Sequence, residues 1–231
     1  MKSKETVTQA PRNDTRLRLI LAAEKLFGEQ GVHGVTLKEI NAAAGQRNES
    51  ALHYHFGSKP ALVEAILMNR ARDIDAVRAE RVEDLLRDGR EGDLRALLRA
   101  TFMPLVDLLA EEDGVRFVRF LAQVLNDPDF DLPTLALRGD LPGVARANAF
   151  IIAALGDLPP EVAIQRQRFL IEMTVSSLAI WTRQHDAANE TALREFFVAN
   201  LFDSIYGFLT APVSEEAIEA LKRAMNKKEK K

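Results

Sequence analysis

The chain has 231 residues, no cysteine and a formal net charge of −3, with 47% hydrophobic and 28% charged residues. This composition is typical of one large or two small globular domains, and the lack of cysteine excludes disulfide frameworks and thiolate metal sites. The apolar runs are far shorter than the ~18 residues that span a membrane, and the polar N-terminal segment lacks the apolar stretch of a secretory signal. We therefore expect a cytoplasmic protein without a membrane partner.

Leucine, alanine, arginine and glutamate dominate the composition, which favours helix, and no alternating strand pattern is found. The predicted fold class is all-α, with about nine or ten helices and no repeat of solenoid length. Residues 1–70 carry ten Lys and Arg against seven Asp and Glu, so the rest of the chain has a net charge of −6. A basic N-terminal part on an acidic body is typical of a DNA-binding head, although an ordinary solvated surface gives similar values.

The first predicted elements are a disordered arm at residues 1–13 and a helix that begins at Asp14 as N-cap. Apolar residues of this helix recur at helical spacing, at Ile20, Ala23 and Phe27, and Gly31 ends it. A connection of residues 31–35 leads to the next helix.

Residues 36–65 hold the most informative local signals. Thr36 and Glu39 have the spacing of a capping box, and Gly45 is placed to end the short helix that they begin. Asn48 is a candidate N-cap for a second short helix from Glu49 to Phe56. Two short helices joined by a tight glycine turn predict a helix-turn-helix, which presents its second helix to the DNA major groove. The predicted DNA-binding head covers residues 14–57, with a small core of Ile20, Phe27, Leu37, Ile40, Leu52 and Phe56.

Residues 58–212 are predicted to form a larger helical domain. Ser58 caps a long helix with Pro60 in its first turn, and an apolar stripe carries this helix to about Leu86. Pro104 predicts a kink or a break in the helix that follows, and residues 111–114 predict a turn. Further helices are expected from Val115 to Leu125 and at about 144–155, with a loop and a short helix at 129–143.

Two helices at about 160–185 and 189–210 carry more apolar surface than one packing face uses. Such a pair from each of two chains can form a four-helix bundle, so we expect a homodimer through these helices. Residues 213–231 form an amphipathic C-terminal tail, with acidic residues early and lysines late, as the helix dipole favours.

Residues 14–67 resemble the TetR family of bacterial transcriptional regulators. The resemblance rests on an ordered series: Phe27-Gly28 and Gly31, Thr36 to Ile40, Ala44-Gly45, Leu52 to Phe56, and Ser58-Lys59 before Leu62. It implies an all-helical homodimer whose heads bind a palindromic operator in double-stranded DNA and whose bodies hold a pocket for a small-molecule effector. Eleven residues run from Gly45 to the end of the second helix, where the family pattern has ten.

The predicted DNA-binding residues surround the start of the second helix. Arg47 is the candidate for guanine, whose O6 and N7 accept a forked donor. Asn48 either reads a base or is used as a cap, and Glu49 needs a cytosine amino group as its partner. Hydroxyl and cationic side chains at the helix ends are candidates for phosphate contacts, as the family pattern implies. The complete set is Thr36, Arg47, Asn48, Glu49, Ser50, His53, Tyr54 and Lys59.

The body contains aromatic, methionine and arginine side chains of the kind that line ligand pockets. For any one of them, packing in the helical core is the more frequent reason for such a residue. The candidate effector-binding residues are Phe102, Met103, Arg116, Phe117, Phe120, Phe150, Phe169, Met173 and Trp181.

The helix-turn-helix pattern and the resemblance together imply a ligand-responsive transcriptional regulator that acts as a repressor. A ligand-independent DNA-binding dimer and an activator are the alternatives, and a ligand-dependent gel shift tests the first of them. We find no metal cluster, phosphate loop, cysteine nucleophile or paired acid and base, so no cofactor, no metal and no enzymatic activity are predicted.

Overall fold

The computed structural model describes residues 10–48, 50–130, 141–187 and 189–228. Within these ranges the chain forms ten α-helices, a short 3₁₀ helix at Leu108–Ala110 and no strand, which confirms the all-α prediction. The α-helices are α1 Ala10–Gln30, α2 Leu37–Ala43, α3 Ala51–Phe56, α4 Lys59–Arg87, α5 Leu94–Asp107, α6 Glu112–Leu125, α7 Pro142–Ala154, α8 Pro160–Gln184, α9 Thr191–Thr210 and α10 Glu215–Lys228.

Helix α1 begins four residues before the predicted start at Asp14, so that prediction is wrong. Proline at position 11 is the second residue of the helix, where its missing N–H would have had no partner in any case. Asp14 therefore lies inside the helix and forms an ion pair with Arg18 at 3.6 Å. The helix ends where expected, at Gly31, whose φ of +86° favours glycine.

The core of the head contains the six predicted side chains and several further ones. Ile20, Phe27, Ile40 and Leu52 are buried, while Leu37 and Phe56 are half-buried. Further buried side chains come from α1, from the connection that follows it and from the start of α4: Leu19, Val32, Val35 and Leu62. The head core is continuous with that of the body, because α1 packs on both α4 and α6.

Helix α5 passes through Pro104 and ends at Asp107, so of the predicted kink or break the break is wrong. The proline removes one backbone hydrogen bond, but its side chain is buried with those of its neighbours, and this packing holds the helix together. The prediction of a turn at residues 111–114 is also wrong, because α6 begins at Glu112. A Cβ on Gly114 would lie 2.0 Å from the Leu108 carbonyl oxygen, so glycine serves a close approach of backbones here.

Helix α7 starts two residues before the predicted position, and a buried carboxylate from α4 caps it. Asp75 accepts hydrogen bonds from the backbone N–H groups of Gly143 at 2.8 Å and Val144 at 2.7 Å. Arg78 donates to the same carboxylate at 2.8 Å and to the Thr101 carbonyl of α5 at 2.8 Å. This ion pair therefore joins α4, α5 and α7. The loop predicted at 129–143 lies mostly outside the described residues.

Helices α8 and α9 match the two long predicted helices to within a few residues, and α10 matches the amphipathic tail. Arg166 of α8 donates to the carbonyls of Leu209 and Ala211, which caps the end of α9. In the described part of the chain, no one helix has the length and apolar character to cross a bilayer. There, only α9 taken together with residues 215–226, across a 58° bend, meets that requirement by length and composition.

Candidate nucleic-acid interface

The capping box at the start of α2 is present as predicted. Thr36 Oγ1 accepts a hydrogen bond from the Glu39 N–H at 3.3 Å, and Glu39 Oε2 accepts from the Thr36 N–H at 2.7 Å. The Thr36 hydroxyl also donates to Glu39 Oε2 at 2.7 Å. The threonine is exposed, but its hydroxyl hydrogen is already used within the box, so a phosphate contact would compete with Glu39.

Helix α2 ends in a Schellman motif, as Gly45 predicts. The N–H of Gln46 donates to the Asn41 carbonyl at 2.8 Å, and the N–H of Gly45 donates to the Ala42 carbonyl at 3.0 Å. Gly45 has a φ of +68°, which an L-residue rarely adopts. The direction in which the chain leaves α2 towards the recognition helix is fixed by these bonds.

The recognition helix α3 begins at Ala51, two residues later than predicted. Asn48 Oδ1 accepts from the Ser50 N–H at 2.9 Å, so the side chain caps a turn before the helix. Ser50 occupies the N-cap position, and its own side chain makes no capping bond. Arg47, Asn48 and Ser50 therefore lie in the approach to α3 and not on it, while Glu49 lies outside the described residues.

The predicted DNA-reading side chains Arg47, Asn48, Ser50, His53 and Tyr54 are all exposed. The Arg47 guanidinium donates to none of the residues that the structure describes, whereas Asn48 already accepts one hydrogen bond. These exposed side chains belong to the loop before α3 and to α3 itself. The head thus presents a polar surface here, and buried apolar side chains of its core lie behind it.

Two of the predicted phosphate contacts are also bound within the chain. Nδ1 of His53 lies 2.9 Å from the Gly57 carbonyl oxygen, and since a carbonyl only accepts, Nδ1 carries the hydrogen and Nε2 faces other partners. Lys59 is half-buried, donates from Nζ to the Val35 carbonyl at 2.6 Å and lies 5.6 Å from the centre of the Phe27 ring. Burial lowers the pKa of Lys59, while Glu39 acts in the opposite direction.

An ion triad joins the head to the body. Arg70 of α4 donates to the buried Glu24 of α1 at 2.7 Å and to Asp113 of α6 at 2.7 Å. The bond to Glu24 raises the pKa of Arg70, and the bond to Arg70 lowers the pKa of Asp113. No sequence pattern indicates this triad, because its members lie more than 40 residues apart.

Helix α6 makes a second connection to the head. Gln123 Oε1 accepts from the Val32 N–H at 3.2 Å, and Gln123 Nε2 donates to the Phe27 carbonyl at 3.4 Å. The side-chain amide of Gln123 is thus hydrogen-bonded to residues before and after the turn that ends α1. After this turn, Nε2 of His33 lies 2.7 Å from the carboxylate of Asp127. The pKa of Asp127 is lowered mainly by the hydrogen bond from the Asp129 N–H and to a smaller extent by His33. A movement of α6 would therefore shift the turn after α1, which belongs to the head.

The predicted effector-binding residues are spread over the body. Phe102 is buried in α5, while Phe117 and Phe120 pack together, with Phe120 stacked on Phe27 of the head at 5.9 Å. Trp181 stacks on both His185 and Phe197, with ring centres 5.0 Å away in each case. The remaining members are either half-buried or exposed: Met103, Arg116, Phe150, Phe169 and Met173.

Two surface cavities of the described residues contain none of these nine side chains. One, of about 260 Å³, lies between α5 and α9. The other, of about 470 Å³, is an open depression on α8 beside Ile164 and Arg168. The structure therefore does not bring the predicted effector-binding residues together around one of these cavities.

The capping box makes the stability of the head depend on pH. The Thr36 N–H lowers the pKa of Glu39 below its ordinary value, so the folded state binds the proton less tightly than the unfolded state. This stabilisation is complete above the ordinary pKa of glutamate and is lost as the pH falls through the lowered value. We expect Glu39→Gln to reduce the loss of unfolding free energy between pH 7 and pH 3, measured by urea titration. Glu216→Gln in α10 is the matched control, and an equal loss in both variants would contradict this role.

Two family models match the chain. The model described as bacterial regulatory proteins, tetR family, matches residues 19–66. The model described as tetracyclin repressor-like, C-terminal domain, matches residues 99–212. The first match contains the whole of α2 and α3, and the second extends from within α5 to just beyond the end of α9.

The curated relatives match less than half of the chain. The probable HTH-type transcriptional regulator ArpR of Pseudomonas putida is 36% identical over 100 residues, which are 43% of this chain and 46% of that protein. The HTH-type transcriptional regulator TtgR, also of Pseudomonas putida, is 38% identical over 60 residues, which are 26% of this chain and 28% of that protein. The matched segments thus span less than half the length of these relatives.

Solved structures show the same fold over most of the chain. A transcriptional regulator from Rhodococcus sp. Rha1 has a TM-score of 0.55 at 24% identity, covering 86% of this chain and 99% of that chain. NalD of Pseudomonas aeruginosa, the secondary repressor of the MexAB-OprM multidrug efflux pump, has a TM-score of 0.52 at 22% identity, covering 84% and 96%. The relatives are regulators and not enzymes, in agreement with the sequence-based prediction. The chain belongs to the TetR family of DNA-binding transcriptional regulators.

Proposed function

We propose that this regulator is a cytoplasmic, ligand-responsive repressor that binds a palindromic operator as a homodimer. One observation carries the proposal: the head exposes a polar loop and helix α3 at its surface, and it is bonded to the body through both α4 and α6. A change in the body can therefore alter the position of the surface that meets DNA.

At the DNA, the loop before α3 and the helix itself would enter the major groove. Arg47 is exposed and has the forked donors that match guanine O6 and N7. Tyr54 is 64% exposed and His53 has its Nε2 available, so both suit contacts with the phosphates that fix orientation. Two heads of a dimer would read half-sites about 34–36 Å apart, one turn of DNA.

Large apolar side chains on α8 and α9 support the dimer. Phe196 is 68% exposed and Ile180 is 55% exposed, and exposed apolar surface of this kind often marks an interface between proteins. Phe169 and Leu193 add to the exposed apolar surface of the same two helices. A second copy would cover this surface by forming a four-helix bundle.

An effector in the body would release the operator by a population shift. It has to prefer the conformation in which the two heads are wrongly spaced for the half-sites. Helices α4 and α6 are the physical connection, because Arg70 and Gln123 bond them to α1 and to the turn that follows it. A partly apolar molecule suits the aromatic residues of the body, from Phe102 in α5 to Trp181 in α8.

The proposal is tested by selecting bound sequences from a pool of random DNA duplexes with the purified full chain. We expect enrichment of a two-fold symmetric motif. Light scattering is expected to give twice the 25.7 kDa mass of one chain. Phe196→Glu should yield monomers and lose the symmetric motif, whereas Met225→Glu, at an exposed methionine of α10 outside the head, should do neither. An asymmetric motif, or no enriched motif, would overturn the proposal.

A further inference from the structure

A cleft between α5 and α9 is lined by both charged and apolar side chains. Its volume is about 260 Å³, and it is lined by two arginines and a leucine from α5 and by an alanine, a phenylalanine and an aspartate from α9: Arg95, Leu98, Arg99, Ala199, Phe202 and Asp203. The exposed Ala199 and the buried Leu98 and Phe202 form an apolar floor, while the two arginines lie one helical turn apart at its edge. The cleft shares no residue with the predicted effector-binding set.

Aromatic rings of α9 support both guanidinium groups. The Arg95 guanidinium carbon lies 4.0 Å from the centre of the Tyr206 ring, and that of Arg99 lies 5.4 Å from the centre of the Phe202 ring. Cation–π contacts of this kind restrict a long side chain without using its N–H donors. The two arginines are thus partly preorganised at the rim, which reduces the entropy that a ligand must overcome.

One carboxylate already binds at the rim. Asp203 forms an ion pair with Arg95, and both side chains are more than half exposed. An exposed pair of this kind contributes little to stability and exchanges readily with other partners. The Arg99 guanidinium donates no hydrogen bond to any residue that the structure describes. The rim therefore has one arginine bound by a replaceable carboxylate and one whose forked donors are available to a ligand.

We infer that this cleft binds a small aromatic carboxylate, with the carboxylate on Arg99 and Arg95 and the ring on the apolar floor, chiefly against Ala199. A guanidinium binds a carboxylate by two parallel hydrogen bonds, which gives both affinity and orientation. The volume is slightly below the range of about 300–1,000 Å³ that drug-sized ligands occupy, so a single ring fits and a larger polycycle does not.

Inorganic phosphate would also satisfy two arginines, but it cannot use the apolar floor. The comparison of phosphate with benzoate therefore separates simple anion binding from recognition of an aromatic acid. The inference does not rest on the proposed repressor function, since the cleft lies in the body, and it can be tested without DNA.

The test is isothermal titration of the full chain with benzoate and, separately, with inorganic phosphate. We expect saturable benzoate binding at one site per chain and weaker phosphate binding. Arg99→Gln should weaken benzoate binding about tenfold or more, because a hydrogen-bonded ion pair is lost. Asp203→Asn should strengthen it about two- to fivefold, because the competing carboxylate is removed.

The Arg87–Asp84 pair of α4 provides matched controls, since it is an arginine–aspartate pair outside the cleft whose side chains are likewise more than half exposed. Arg87→Gln and Asp84→Asn change the net charge in the same way and should leave benzoate affinity unchanged. Absence of saturable benzoate binding would overturn the inference, as would binding that is insensitive to Arg99→Gln. Phosphate binding as tight as benzoate binding would overturn the assignment of an aromatic ligand.

Discussion

Replacing Arg47 with alanine is expected to weaken binding of the dimer to its selected operator by about 2–6 kcal/mol, at least roughly thirtyfold. A forked contact with guanine discriminates by about 1–3 kcal/mol, and a two-fold symmetric complex contains two of them. The side chain is exposed and donates to none of the described residues, so its removal leaves no buried group unpaired. The free energy of unfolding should therefore stay within about 0.5 kcal/mol of wild type.

Fluorescence anisotropy with the selected operator and with a scrambled duplex measures this prediction. Binding to the scrambled duplex depends mainly on phosphate contacts, so Arg47→Ala should affect it far less than specific binding. Arg223→Ala in α10 removes the same charge outside the head and serves as the control. Equal affinity of wild type and Arg47→Ala for the operator would show that this residue does not read a base.

The second large effect is on stability. Arg78→Leu is expected to lower the free energy of unfolding by about 3–5 kcal/mol, because it leaves the carboxylate of Asp75 buried without its countercharge. The Thr101 carbonyl would lose its donor as well. Burial lowers the pKa of Arg78 and Asp75 opposes that shift, but an arginine remains charged in the folded state.

Urea titration at neutral pH measures this effect, and the next arginine along the same helix offers a matched control. Arg81 forms an ion pair with Asp107, and both side chains are at least one-third exposed. Arg81→Leu should cost only about 0–1 kcal/mol. If the free energy of unfolding of Arg78→Leu were within about 1 kcal/mol of wild type, the buried pair would not hold α4, α5 and α7 together.

Structural features that depend only on neighbouring residues, such as the start and the end of α2, were predicted well. The capping box needs only Thr36 and Glu39, three positions apart, and the end of α2 needs only a glycine that tolerates positive φ. The start of α3 was predicted two residues early because Asn48 and Ser50 are both good caps, and the sequence does not show which turn closes first.

Structural features that depend on contacts between distant residues were either not predicted or predicted wrongly. Pro104 predicted a kink or a break, yet the helix is not broken there, and its neighbours in α5 are buried with it. Arg70 and Gln123 had no sequence signal, since their partners in the head lie 46 and more than 90 residues away. Aromatic residues of the body did not identify a cavity, because core packing and ligand binding use the same side chains.

A hydroxyl-radical footprint of the full chain on its selected operator tests the central claim most directly. The two exposed heads of a dimer should protect two symmetric half-sites on one face of the duplex, about 10–10.5 base pairs from centre to centre. Phe196→Glu, which should prevent dimer formation, should abolish this paired pattern at the same protein concentration. Protection of a single site, or the same paired footprint from a monomeric variant, would contradict the account of a dimer that reads DNA with the loop before α3 and with α3.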